Sequence, residues 1–297
     1  MPMTPNPLLK KLGLTATDRA VIFHADDIGM CEGAVSAYRD LLEFGVLSSA
    51  AAMVPCPWFP AAAALCRELT DHPRLDMGIH LALNSEWSVY RWGPVSTRDP
   101  QSGLIDEMGY FFDLAHKTHQ KATAEAVRRE IAGQIAQGLR AGIRATHIDT
   151  HMFCLFEPRF LPLYLEASRQ FQLPAFALRP QAEQWREWYD EDHPSTHLLQ
   201  QAEAEGLPLM DHFEVMSLQT PENRLADAQT RLNNLPPGLT YFLIHPVKDT
   251  PELRAMAPDW RCRVADYELF TSEAWRTAVQ ASGIHVIRWQ DLPFLSP

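Results

Sequence analysis

The sequence predicts an α/β protein whose parallel strands close, or nearly close, into a barrel. Short apolar runs alternate with longer amphipathic stretches along most of the 297 residues, the pattern of repeated strand–helix–strand units and a parallel sheet. Seven or eight such units in this length are typical of a single (β/α) barrel. A doubly wound open sheet is the alternative. It would require a glycine-rich phosphate loop after the first strand, where this chain reads HADDIGMCEG.

The predicted strands are short apolar runs, and the predicted helices are amphipathic stretches between them. The strands lie at 20–24, 47–54, 75–83, 145–149, 175–178, 209–215, 239–245 and 284–289. The helices lie at 32–44, 58–69, 122–141, 159–171, 195–205, 221–235 and 273–282. Residues 1–19 lack the apolar segment of a signal peptide. We therefore interpret them as an N-terminal arm and expect 20–297 to form one barrel domain.

An aromatic loop insertion, 84–118, is too long for a simple connection between a strand and a helix. Long loops in compact domains are usually lids or binding loops. Its aromatic residues fit either stacking on an apolar substrate face or a small satellite core. They are Trp87, Tyr90, Trp92, Tyr110, Phe111 and Phe112.

Net charge, the length of apolar runs and the cysteines limit which partners and surroundings fit the protein. A formal net charge of −11 argues against nucleic acid and against an anionic membrane surface, both of which attract basic proteins. No apolar run approaches the length of a transmembrane helix. The five cysteines are scattered without a CxxC pair, so we expect buried free thiols and a cytoplasmic location rather than a disulfide framework.

Polar residues cluster at or near the ends of predicted strands, where catalytic groups of parallel barrels collect. Asp26 and Asp27 close the first strand. Burying an unpaired carboxylate is costly, although one of the pair fits a helix cap as well. His80 lies on the small, polar face of its strand, where it is either a ligand or a structural histidine.

The segment ATHIDTH carries His147, Asp149 and His151 at alternate positions, and hence on one side of an extended strand. Two imidazoles and a carboxylate suit a divalent metal together with a partner that orients one ligand. His245 ends an apolar strand before Pro246, where it fits a proton donor or a turn residue. Arg179 ends another strand and fits either a substrate contact or an ion pair.

The order of these motifs resembles the YdjC-like carbohydrate deacetylases, which include chitooligosaccharide and hopanoid-associated deacetylases. ADD-x-G, GIHL, THxDxH, RP and HP follow one another from Ala25 to Thr271, nearly the whole chain. The late segment CRVADYELFTS is similar to the Arg/acidic segment of the family, with Arg263 in the arginine position. The first strand differs in reading HADDIG where NADDFG is common.

The resemblance implies a distorted, TIM-like (β/α) barrel with one divalent metal ion, Zn²⁺ or Mg²⁺. It implies Asp27, His80 and His151 as ligands, Asp26 as general base, and His245 as general acid or oxyanion partner. The other site residues would contact substrate or lie behind the ligands: His147, Asp149, Arg179, Glu86, Trp87 and Arg263. The implied substrate is an N-acetylated sugar or a related small amide, which would release acetate.

The resemblance also constrains the first strand. Regular alternation would send Asp26 and Asp27 to opposite faces, so we expect the strand to end or bulge between His24 and Gly29.

Three other functions compete with this interpretation. The first is a hydrolase of the same fold that acts on a non-sugar amide. The second is a non-haem Fe(II) oxygenase built on His147, Asp149 and His245, which is disfavoured because such sites usually occupy antiparallel scaffolds. The third is a non-catalytic carbohydrate-binding barrel. The aromatic segment 185–189 fits either a lid or a subunit contact in a homodimer.

Overall fold

The structure is a computed structural model that describes residues 4–294. Its strands are β1 (Arg19–Ile28), β2 (Ser49–Ala52), β3 (Met77–Leu81), β4 (Ile148–Thr150), β5 (His212–Val215), β6 (Gly238–Ile244) and β7 (His285–Val286). All pairings between them are parallel, in the order β4-β3-β2-β1-β6-β5, and β7 pairs with the first half of β1. This curled parallel sheet forms a half-barrel and confirms the predicted α/β class and distorted barrel.

The predicted strand at 175–178 is irregular. It makes isolated parallel bridges, Ala175 with Ile148 of β4 and Leu178 with Met210, just before β5. This segment lies between β4 and β5, so the side of the barrel opposite β1 consists of loosely paired chain.

The helices are α1 (Pro7–Lys11), α2 (Glu32–Phe44), α3 (Phe59–Glu68), α4 (Ala115–Lys121), α5 (Ala124–Arg140), α6 (Leu161–Phe171), α7 (Glu183–Trp188), α8 (Pro194–Ala204), α9 (Arg224–Asn234), α10 (Pro251–Met256), α11 (Trp260–Phe270) and α12 (Glu273–Ala281). Apart from α1, which precedes β1, the helices lie between the strands, and α2, α3, α5, α6, α8, α9 and α12 correspond to the predicted helices. No helix within residues 4–294 is both long and apolar enough to cross a membrane.

Helix α2 shows why apolar residues at helical spacing predict the bounds of a helix. Its buried residues include Ala34, Ala37, Tyr38 and Leu41, which recur at helical spacing. The helix ends at Gly45, whose φ of 84° places it in the left-handed conformation favoured by glycine at helix ends. The predicted bounds, 32–44, match the observed ones.

Helix α11 has no such pattern, and the sequence reasoning missed it. The side that faces the barrel carries Arg263 and Asp266, which are 2% and 0% exposed. Charged residues at buried positions remove the apolar periodicity on which the prediction depends. Both residues serve the candidate site described below.

The amino-terminal residues pack against the barrel. Leu8 and Leu9 of α1 are buried, and the Asn6 amide donates to Leu209 O (2.9 Å) and to Asp211 Oδ2 (3.0 Å). These contacts place residues 6–9 beside the beginning of β5.

The aromatic loop is mostly packed inside the protein. Its buried rings belong to the same hydrophobic core as the strands, so they do not form the separate satellite core that the sequence left open as an alternative. Trp87, Trp92 and Phe111 are at most 7% exposed, and Trp87 packs edge-on against Trp92 at 5.7 Å between ring centroids. A cleft of about 890 Å³ opens against the loop and is lined by Glu86 and Trp87 among others. The loop therefore combines a packed interior with a wall of a cavity.

Candidate active site

The end of β1 is irregular where the sequence requires it. The pairing of β1 with β2 shifts register between Ala25 and Ile28, and Asp27 has a φ of 65°. A non-glycine residue rarely adopts this left-handed conformation, which concentrates at functional sites. The predicted bulge is confirmed, and it brings Asp26 and Asp27 to the same group: one oxygen of each lies 3.5 Å from His80 Nε2.

Asp27 of β1, His80 of β3 and His151, which directly follows β4, converge on one point. His80 Nε2 lies 3.2 Å from His151 Nδ1 and 3.5 Å from Asp27 Oδ1, and His151 Nδ1 lies 3.3 Å from Asp27 Oδ1. Ligands bound at about 2.1 Å to a tetrahedral ion lie about 3.4 Å from one another. The three atoms thus have the spacing of three ligands of one ion.

Each histidine has one ring nitrogen that faces the other ligands and one that faces away. The hydrogen bond of the nitrogen that faces away determines whether the inner nitrogen carries a proton or a lone pair. His80 Nδ1 lies 2.8 Å from Asp149 Oδ1, and His151 Nε2 lies 3.0 Å from Glu86 Oε2. If each of these outer nitrogens donates a hydrogen bond to its carboxylate, the neutral rings carry lone pairs on their inner nitrogens, His80 Nε2 and His151 Nδ1. They then face each other and the Asp27 oxygen, an arrangement that requires a cation between them. The residues present therefore fit a divalent metal.

Arg263 holds the remaining oxygen of Asp27. Its Nη1 donates to Asp27 Oδ2 at 2.7 Å, its Nε donates to Asp259, and its guanidinium lies 5.3 Å from the centre of the Trp87 ring. Asp27 Oδ1, which faces the two histidines, makes no hydrogen bond of normal geometry within residues 4–294. Arg263 thus leaves one Asp27 oxygen for the cation.

The neighbouring charges favour the charged forms of Asp27, His80 and His151. Burial raises the pKa of Asp27, but the Arg263 guanidinium and His151 hold it well below its usual range. Burial lowers the pKa of His80 and His151, and the surrounding carboxylates outweigh it, so both values are raised. The cluster therefore attracts positive charge, either as protons on these rings or as a bound cation.

His245 lies beside Asp26 at the edge of the cluster. Its Nε2 is 4.0 Å from Asp26 Oδ2, and its backbone N–H donates to Asp266 Oδ2 at 2.9 Å. Arg224 donates to the other Asp266 oxygen from two nitrogens, at 2.8 and 2.5 Å. Burial lowers the pKa of His245, which favours a neutral ring. Arg224 and Asp266 carry no signal in the sequence, because their partners are distant in the chain.

His24 also escaped the sequence reasoning as a site residue. It is 0% exposed, and its Nε2 lies 3.1 Å from Asp26 Oδ1 and 3.0 Å from Asp149 Oδ2. Alternation along β1 was the available signal, because residues 24 and 26 of a strand share a face.

The remaining predicted residues have different surroundings. His147 Nδ1 lies 2.9 Å from Thr146 Oγ1, and its ring stacks on Trp289 at 4.8 Å, beside the cluster but not facing the three ligand atoms. Arg179 donates to Asp211 Oδ1 at 2.9 Å and to Glu203 Oε1 at 2.5 Å. These contacts lie at the amino end of β5, so the structure does not bring Arg179 to the cluster.

The chain is similar to known proteins over most of its length. The family model described as YdjC-like protein matches residues 20–281. This chain belongs to the YdjC-like family. A relative named carbohydrate deacetylase, from Thermus thermophilus, is 31% identical over 297 residues, which cover 95% of this chain and 97% of the relative. Another with that name, from Brevibacillus brevis, is 33% identical over 52% of this chain and 57% of its own length.

A solved structure shares the fold of this YdjC-like chain. It is the crystal structure of an Enterococcus faecalis protein that carries the name cellobiose-phosphate cleavage protein. The two chains are 22% identical and superpose with a TM-score of 0.74, over 92% of this chain and 98% of that one. At this identity the likeness concerns the fold.

Proposed function

We propose that the protein is a metal-dependent carbohydrate deacetylase, which hydrolyses the acetamide of an N-acetylated sugar to acetate and a free amine. The observation that carries this proposal is the convergence of Asp27, His80 and His151 at 3.2–3.5 Å, with the Asp26 carboxylate beside them. Membership of the YdjC-like family and the name of the Thermus thermophilus relative support the same reaction.

Asp27 Oδ1, His80 Nε2 and His151 Nδ1 would hold the metal, either Zn²⁺ or Mg²⁺. When bound, the ion would supply Lewis-acid chemistry, since it polarises an amide carbonyl and makes water more acidic. The two nitrogens and one oxygen favour Zn²⁺ over Mg²⁺, because Mg²⁺ prefers oxygen ligands.

Asp26 is the general base in this proposal. Its Oδ2 faces the ligand atoms, 3.5 Å from His80 Nε2, so it can take the proton of a water that attacks the acetyl carbon. The new bond joins the water oxygen to that carbon, and the bond between carbon and nitrogen breaks.

His245 delivers a proton to the leaving amine. Its Nε2 is 4.0 Å from Asp26 Oδ2, so the proposed acid and base are neighbours beside the ligand cluster. Because burial lowers the pKa of His245, the ring takes up a proton during the reaction before it donates one, and Asp26 is the nearest source.

The cleft beside Glu86 and Trp87 is the proposed position of the sugar. It borders the ligand cluster through Glu86, which bonds to His151. Its walls combine the Trp87 ring with the charged groups of Arg91, Asp106 and Lys117. The polar and charged groups of this cleft suit the hydroxyl groups of a sugar, while the Trp87 ring, which is 7% exposed, offers only an edge.

The test is acetate release from a panel of N-acetylated mono- and oligosaccharides. Chelator-treated protein should be inactive, and protein resupplied with Zn²⁺ or Mg²⁺ should recover. Asp26→Asn, which keeps all three proposed ligands, serves as the inactive control.

The other outcomes contradict parts of the proposal. Undiminished release after complete metal removal would exclude the metal. Turnover confined to non-sugar amides would indicate a different hydrolase of this fold. Sugar binding without acetate release in the metal-loaded protein would indicate a non-catalytic barrel.

A further inference from the structure

We propose that His24 is a positioning residue, a buried imidazolium that aligns the general base Asp26 and ties it to Asp149. This inference rests on the proposed function for its kinetic consequence, but its structural content can be tested separately. It concerns a residue beneath the ligand cluster that takes no part in the metal coordination proposed above.

The surroundings of Nε2 indicate that this nitrogen carries a proton. It lies 3.1 Å from Asp26 Oδ1 and 3.0 Å from Asp149 Oδ2. A bare lone pair between two carboxylate oxygens would be repelled by both. Neither contact is a linear hydrogen bond, so we describe the N–H as shared between the two acids. The ring is 0% exposed, and no solvent screens this interaction.

The surroundings of Nδ1 indicate a second proton. Nδ1 lies 3.1 Å from Ser49 Oγ. The Ser49 hydroxyl donates its own hydrogen to Asp76 Oδ1 at 2.9 Å, so towards His24 the oxygen acts as an acceptor. With a proton on each nitrogen, His24 is a cation. The pKa of His24 agrees: burial lowers it, but the nearby carboxylates of Asp149 and Asp26 outweigh burial and raise it to about 9.

This cation sets the orientation of two carboxylates. By engaging Asp26 Oδ1, it leaves Oδ2 to face His80 and His245. By engaging Asp149 Oδ2, it leaves Oδ1 for the hydrogen bond with His80 Nδ1. Asp26 lies in the irregular end of β1, where the backbone pairing with β2 is interrupted, so this side-chain contact supplies orientation that the sheet does not.

The kinetic test compares two substitutions. His24→Leu removes both donors, whereas His24→Gln places an amide N–H near the position of Nε2. We expect His24→Leu to lower kcat about 100-fold, the effect of a misplaced catalytic group, with an unchanged KM and an unchanged Zn²⁺ stoichiometry. His24→Gln should recover most of kcat, and if His24→Leu fails to fold, His24→Gln against His24→Ala gives the comparison.

A matched control separates positioning from stability. Tyr164→Phe removes a buried hydroxyl that donates to Ile148 O and Phe176 O and makes no contact with Asp26. It should lower the melting temperature while leaving kcat unchanged. Equal losses of kcat in Tyr164→Phe and His24→Leu, or a wild-type kcat in folded His24→Leu, would overturn the positioning role.

A spectroscopic test does not depend on the substrate. In protein labelled with ¹⁵N-histidine, ¹H–¹⁵N correlation at neutral pH should show two protonated ring nitrogens for the signal that disappears in His24→Gln. A ring with only one protonated nitrogen would overturn the proposal. If wild-type protein releases no acetate from any sugar, the proposed function fails, and this measurement still decides the state of His24.

Discussion

Two polar clusters lie at opposite ends of the same parallel strands, and they differ in how completely their atoms are paired. The amino-end cluster consists of Asn6, Arg179, Glu203 and Asp211. The carboxyl-end cluster consists of Asp26, Asp27, His80, His151 and His245. Both contain buried charges, so burial alone does not distinguish a site from a structural brace.

The amino-end cluster is saturated. Asp211 Oδ1 accepts from Arg179 Nη1 at 2.9 Å, and Oδ2 accepts from Leu239 N at 2.8 Å and from the Asn6 amide at 3.0 Å. Arg179 uses its three nitrogens on Asp211, Glu203 and Thr4. A group with all its donors and acceptors occupied has no free atom for a ligand.

The carboxyl-end cluster is not saturated. Asp27 Oδ1 and His245 Nδ1 have no hydrogen bond of normal geometry to any residue between 4 and 294. Buried polar atoms without partners are costly, and in native structures they often mark a site for an ion or a reacting group. The comparison indicates that the polar cluster at the amino end stabilises the barrel, which we call the braced end. The cluster at the carboxyl end keeps unpaired atoms for an ion or a reacting group, and we call it the reactive end.

Removal of a ligand should have the largest effect. His151→Ala deletes one of the three inward atoms, and we expect loss of bound metal together with loss of acetate release. Metal content after dialysis and initial rates provide the measurements. His197→Ala, at an exposed histidine of α8, is the matched control and should change neither. Retention of stoichiometric metal by His151→Ala would contradict the ligand assignment.

Substitution of the base should separate binding from chemistry. Asp26→Asn keeps Asp27, His80 and His151, so the metal content should match that of the wild type. Loss of the proton acceptor should lower kcat by about 10²–10⁴-fold. Acetate release under saturating substrate gives kcat, and metal analysis of the same sample gives occupancy. A near-wild-type kcat would show that another group takes the proton.

The sequence predicts the parts of the site that follow from local spacing. The position of Asp26 and Asp27 at the end of β1 follows from the apolar run before them, and the bulge follows from strand alternation once the family resemblance assigns both residues to one site. The bounds of helices with an apolar stripe, such as α2, follow from helical periodicity. The family resemblance supplies the choice of Asp27, His80 and His151, which spacing alone leaves open.

Contacts between distant segments cannot be read from spacing. The ion pair of Arg263 with Asp27 joins residues 236 positions apart, and α11 shows no apolar stripe because its buried side carries this arginine. Arg179 follows a predicted strand and was expected near the site. Leu178, however, pairs with Met210, before β5 begins, and this stagger places Arg179 level with the amino end of the sheet.

A smaller effect is expected when a partner of a ligand is changed. Asp149→Asn keeps the shape of the side chain but removes the charge that orients His80 at 2.8 Å and accepts from the Tyr241 hydroxyl at 3.0 Å. Carboxylates in this position typically contribute 10–100-fold to metal affinity, and we expect a loss in that range. Competition with a chelator measures it. An unchanged affinity would mean that His80 is oriented by its packing alone.

The smallest effect on activity is expected at the saturated end of the barrel. Asp211→Ala leaves Arg179, which is 3% exposed, without its buried partner, and breaking such a pair typically costs about 3–5 kcal/mol of folding free energy. Denaturant unfolding should show that loss, while metal affinity and KM stay at wild-type values. The double substitution Arg179→Met with Asp211→Leu should recover part of the stability, because the buried Arg179 charge is removed together with Asp211, while Glu203, Leu239 N and the Asn6 amide lose these partners. A raised KM in Asp211→Ala at unchanged metal affinity would instead connect Arg179 to the substrate, and the division of the barrel into a braced end and a reactive end would then be wrong.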